Sequence, residues 1–133
     1  MKRLILLAAV LILTGASVMT VRLAYFTVDQ DGGAMILSWE TEVEADVRQF
    51  ELFRKTSQGS EFHLIATQTP RGIGQVYRYR DSQMYRSPAS MVDYRLEVVF
   101  TSGVRQQLGE RKVNYTSTAA RRSWGSIKAM FQN

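Results

Sequence analysis

The chain has 133 residues, of which 45% are apolar, with no cysteine, one histidine and a formal net charge of +5. That length holds one domain with terminal extensions and a core of its own. The lack of cysteine excludes disulfides, thiolate metal sites and cysteine nucleophiles, but does not argue against export.

The positive charge sits at the ends. Leu23 to Tyr115 carries 11 Lys and Arg against 12 Asp and Glu, while Lys2, Arg3, Arg22, Arg121, Arg122 and Lys128 lie outside it. The basic balance therefore belongs to the termini, and the body of the chain lacks the footprint of a nucleic-acid-binding surface. At the amino terminus, Lys2 and Arg3 precede an unbroken apolar run from Leu4 to Leu13 and the small residues Thr14 to Ser17. This is the pattern of a secretory signal over residues 1–17, cut after Ala16 or Ser17. An uncleaved anchor running to about residue 22 is the alternative reading, because Val18, Met19 and Val21 extend the apolar stretch.

Short alternating segments separated by turn residues follow. Leu23 to Val28 is the first predicted strand, and Asp31-Gly32-Gly33 a turn. Met35 to Thr41 sets Met35, Leu37 and Trp39 on one face, and Val47 to Lys55 turns Phe50 and Leu52 inward. A turn at Ser57 to Ser60 leads to a strand over Phe62 to Thr67, and a loop at Pro70 to Gly74 leads to one over Gln75 to Arg80. The last pair is the clearest. Met91 to Phe100 puts Tyr94, Leu96, Val98 and Phe100 on one side with Arg95 and Glu97 on the other, Ser102-Gly103 suits a tight hairpin, and Val104 to Tyr115 returns. Seven strands with one apolar face each imply two antiparallel sheets packed face to face.

The residues at these positions resemble a fibronectin type III domain, and most closely the variant found in secreted bacterial proteins. The resemblance rests on Trp39-Glu40-Thr41 with Glu44, Phe50-Glu51-Leu52-x-Arg54, Tyr77-x-Tyr79-x-Asp81 and Tyr94-Arg95-Leu96, and covers about Leu23 to Tyr115. The proline common after the second-strand tryptophan is replaced by the stretch Glu40 to Asp46, and no Arg-Gly-Asp occurs. The resemblance implies a module that binds, spaces or displays, and it is nearly silent on chemistry, since sites are grafted onto such folds independently.

The candidate chemical groups are few. His63 is the only histidine, and neither a nucleophile elbow nor a phosphate loop is present, so no catalytic residue and no cofactor is expected. Glu40, Glu42, Glu44 and Asp46 form an acidic segment, and Asp29 and Asp31 add two carboxylates at the first turn. On a continued strand Glu40, Glu42 and Glu44 would share one face, which raises calcium as one reading and a solvated loop as the simpler one. In Gln75 to Arg86, tyrosines and arginines interleave, but alternation splits Tyr77 and Tyr79 from Arg78 and Arg80, whereas stacking on bases needs rings and cations on one surface. Arg78, Arg80 and Arg86 are instead candidates for weak cross-sheet attraction to the acidic residues.

The carboxy terminus breaks the pattern. Over residues 117–131, Ala120, Trp124, Ile127 and Phe131 recur at i, i+4, i+7 and i+11, within an arc of roughly 60° on a helical wheel. Gly125 in its interior costs about 1 kcal/mol against alanine, and short isolated helices are marginal in water. This amphipathic helix therefore needs a surface: its own sandwich, a partner or a membrane. Arg121, Arg122, Trp124, Ile127, Lys128 and Phe131 are its candidate contacts.

The expectation is an all-β chain, a seven-stranded antiparallel fibronectin type III-like sandwich over 23–115, with an N-terminal signal or anchor helix and the C-terminal helix. Its expected function is a non-catalytic, exported module (periplasmic, cell-surface or extracellular) for protein–protein interaction or a structural role. The expected partner is a protein, with no nucleic acid, and membrane contact would run through the N-terminal segment or the C-terminal helix. Two alternatives stand beside it: a carbohydrate-binding or calcium-dependent surface module, and a subunit of an extracellular assembly that retains its N-terminal helix.

Overall fold

Alternating apolar residues bury one face of each strand, and the strands pair in the order those faces require. The computed structural model describes residues 20–86 and 90–115. The predicted N-terminal signal segment and C-terminal helix lie outside the described residues. The strands are β1 (Val21–Asp31), β2 (Ala34–Glu44), β3 (Val47–Thr56), β4 (His63–Gln68), β5 (Tyr77–Asp81), β6 (Met91–Phe100) and β7 (Arg105–Asn114), with a 3-10 turn at Gln83–Arg86. Every pairing is antiparallel. One sheet has the order β1-β2-β5, the other β4-β3-β6-β7.

The core lies between the sheets. Trp39, Phe50, Leu52, Tyr77, Tyr94, Leu96 and Val98 are all buried there. Trp39 stacks on Tyr77 with ring centroids 5.0 Å apart and planes within 1°, and both rings meet Phe50 at tilted angles. Aromatic contacts of this kind add about 0.5–1.5 kcal/mol beyond area burial. The β6–β7 hairpin closes as expected: Gly103 adopts φ 90° and donates its N–H to Phe100 O at 2.9 Å. Gly109 on β7 matters for another reason. A Cβ there would come within 3.1 Å of Phe26 Cδ1 on β1, so the missing side chain lets the two sheets close along this edge.

Three residues from separate sequence motifs join the sheets through one buried network. Arg54 Nη1 on β3 donates to both oxygens of Asp81 on β5, each at 2.7 Å. Tyr94 OH on β6 donates to Asp81 Oδ2 at 2.6 Å. Asp81 is only 1% exposed, so a charge this deep persists because it is paired and hydrogen-bonded. Burial first, and then the neighbouring Asp81 carboxylate, push the Tyr94 phenol far above its ordinary range, which keeps it a donor.

The structure moves some predicted boundaries. β1 is longer than expected at both ends, since it runs directly into the Gly32-Gly33 turn. β5 begins at Tyr77, two residues later than expected, because Gly72 and Gly74 hold the preceding segment in a turn of its own.

Candidate protein-contact surface

The acidic segment ends β2 and begins the turn into β3. Its strand alternation is interrupted. Arg22 pairs with Val43 and Leu23 with Thr41, so Glu42 is the extra residue of a bulge in β2. The expectation that Glu40, Glu42 and Glu44 share one face is thereby corrected: the bulge shifts the parity and turns Glu44 toward the inward-facing Thr41 and Tyr77.

Glu44 organises what surrounds it. Its carboxylate accepts hydrogen bonds from Thr41 Oγ1 at 2.7 Å, from Gly72 N–H at 3.1 Å and from Tyr77 OH at 3.1 Å. The Arg71 N–H in turn donates to Tyr77 OH, and Gly74 N–H to Thr41 O at 3.2 Å. Burial raises the Tyr77 phenol above its ordinary value; the Arg71 N–H opposes this and the Glu44 charge adds to it. The loop Arg71-Gly72-Ile73-Gly74 is therefore fastened to β2 on both sides of Ile73. Gly72 at φ 100° and Gly74 at φ 75° supply the left-handed turns this requires.

The consequence is an apolar residue held out in water. Ile73 is 60% exposed and Val76 47%, on one loop whose backbone is braced. Glu40 lies beside this loop, its Oε1 3.9 Å from where a Gly74 Cβ would be. Glu42 is exposed and pairs with Arg22 at 2.8 Å. Asp46 holds the turn into β3 with φ 56°, and its carbonyl accepts Thr101 N–H at 2.8 Å. The four acidic residues thus take four separate roles. Among the described residues, no group of three or more His, Asp or Glu is placed to hold a metal ion.

The other candidate residues are dispersed. His63 is exposed at the start of the edge strand β4. Arg80 pairs with Asp31 at 2.8 Å, a cross-strand attraction within one sheet. Arg121, Arg122, Trp124, Ile127, Lys128 and Phe131 lie outside the described residues. Sequence reasoning missed Ile73 and Val76. The available signal was Gly72-Ile73-Gly74, an apolar residue between two glycines, which alternation assigns to no face.

The sheet order decides the architecture: the fourth strand sits beside the third, on the sheet opposite β1, β2 and β5. The fold is a fibronectin type III-like β-sandwich. No protein-family model and no curated protein matches the chain. Solved structures do. The chain is similar to pectate lyase PelI from Erwinia chrysanthemi, solved in complex with tetragalacturonic acid, with TM-score 0.53 and 18% identity over 66% of this chain and 27% of that one. It is also similar to pectate lyase Pel3 from Pectobacterium carotovorum, with TM-score 0.50 and 16% identity over 69% and 26%. A fibronectin type III-like protein from Clostridium thermocellum aligns over 76% of this chain and 97% of that one, with TM-score 0.49 and 19% identity. The chain thus spans about a quarter of either lyase, and at these identities the likeness to the lyases is one of sandwich fold alone.

Proposed function

We propose that this fibronectin type III-like sandwich is an exported, non-catalytic module that binds a protein partner at the cell envelope or outside the cell. The observation that carries this reading is the braced Gly72-Ile73-Gly74 loop. A chain gains nothing in its own stability by fixing two left-handed glycines and spending Glu44 to hold an isoleucine in water. A rigid apolar anchor presented in advance does favour association, because less conformational entropy is lost on binding. Glu40 beside it suits a partner whose apolar pocket is rimmed by Lys or Arg.

The C-terminal residues Trp124, Ile127 and Phe131, whose spacing in the sequence suits one apolar face docking in a groove, are the second contact region of this proposal. The test compares capture of partners from the native envelope by the intact protein, by Ile73→Asp with Val76→Asp, and by a chain lacking Ala119 to Asn133. The reading expects one partner, captured by the intact protein and lost by at least one of the altered forms. It fails if no partner is captured, or if both altered forms retain it while folded. The mass of the mature protein tests export: loss of the first 16 or 17 residues is expected, and a retained N-terminus supports the anchored alternative instead.

A further inference from the structure

The other end of the sandwich holds a buried carboxyl that the fold satisfies only in part. Asp93 on β6 is 6% exposed, and its Oδ1 has no hydrogen-bond partner. The register sets Lys55 of β3 on one side of it and Lys112 of β7 on the other, a single row across three strands. No ion pair among the described residues reaches Asp93. Lys55 Nζ instead lies over the Phe62 ring, 4.7 Å from its centroid. A cleft of about 360 Å³ opens at this row, with Thr56, Ser57 and Met91 also on its wall. That volume is within the range of small-molecule sites and far beyond one water.

We propose that this cleft binds a sugar residue, whose neighbouring hydroxyls bridge Asp93 to Lys55 and Lys112. The choice follows from the charge pattern. A simple anion is attracted by the lysines and repelled by Asp93, and a simple cation meets the reverse. A hydroxyl suits both, because it donates to the carboxylate and accepts from the ammonium. Thr56 and Ser57 offer further hydroxyl partners, and Met91 offers an apolar surface for the C–H face of a ring. The groups facing Asp93 are Lys55 from β3, Arg95 on its own strand, and Glu110 and Lys112 from β7. Arg95 is committed elsewhere, with its guanidinium 3.9 Å from the Phe62 centroid and 3.9 Å from Glu110 Oε1. Burial, and then the hydrogen bond and charge of Glu110, raise the Asp93 carboxyl above its ordinary value. An unsatisfied group beside a second carboxyl opposes folding, so its retention points to use.

The site is independent of the Ile73 loop, since the length of β3 separates them. The test is an NMR titration of the full chain with glucose, galactose, glucuronate and inorganic phosphate, each taken to millimolar concentration. At least one sugar is expected to give saturable shifts at Ser57, Val92, Asp93 and Tyr94. Asp93→Asn, isosteric and still folded by its spectrum, is expected to weaken that binding about tenfold, the scale of a hydrogen bond to a charged group. Lys112→Met is expected to weaken it less. The proposal is overturned if no sugar gives saturable shifts, if Asp93→Asn binds as tightly as the original protein, or if phosphate competes for the same residues.

Discussion

Two buried aspartates separate what holds this sandwich together from what it keeps in reserve. Asp81 and Asp93 are 1% and 6% exposed, on neighbouring parts of the same fold. Asp81 accepts from Arg54 through both oxygens and from Tyr94, and so ties β5 to the opposite sheet. Asp93 has one oxygen without a partner and a second carboxyl beside it. Burial costs each of them solvation. Asp81 gains hydrogen bonds on both oxygens in exchange, whereas Asp93 keeps one oxygen unpaired and shares its hydrogen bond with a second carboxyl, so depth alone does not tell a structural charge from a functional one.

Breaking the satisfied network should have the largest effect. Asp81→Ala strands Arg54 with a partly buried charge, and chemical denaturation should show a loss of about 3–5 kcal/mol. Tyr94→Phe removes a single donor from the same carboxylate, and the same experiment should show a loss of about 1.5–3 kcal/mol. Glu44→Gln sharpens the comparison from the other end. It removes the charge from a carboxylate with three donors, so hydrogen exchange at Gly72 and Gly74 should accelerate while global stability falls by about 1 kcal/mol. Arg22→Ala disrupts an ion pair of which both members are mostly exposed, and should change stability by no more than about 0.5 kcal/mol, vanishing at high salt.

Much of the sandwich was legible from alternation. Met35-x-Leu37-x-Trp39, Phe50-x-Leu52 and Tyr94-x-Leu96-x-Val98 each show one apolar face, and each is buried as that pattern requires. Gly103 was legible because a two-strand turn needs a positive φ. What stayed hidden depends on partners distant in the chain. Arg54, Asp81 and Tyr94 each stood within a recognisable stretch, but local periodicity does not say that the three side chains meet. Glu44 was assigned to the wrong face, because the bulge at Glu42 inserts one residue into the ladder and reverses everything after it. Asp93 alternates with Arg95 and Glu97 on the outer face, which reads as solvated. It is buried only because β3 and β7 flank it with long side chains.

The most direct measurement of this contrast is the stability of Asp93→Asn as a function of pH. The Asp93 carboxyl is raised in the folded state above its ordinary value of 3.8, so between the two values the folded protein binds more protons than the unfolded chain. This group's contribution to stability is therefore present in acid and is lost as pH rises through the folded value. The account predicts that Asp93→Asn lacks that decline and is at least as stable as the original protein at neutral pH. A variant that loses several kcal/mol at neutral pH, as Asp81→Ala should, would contradict it and make Asp93 a structural residue like its neighbour.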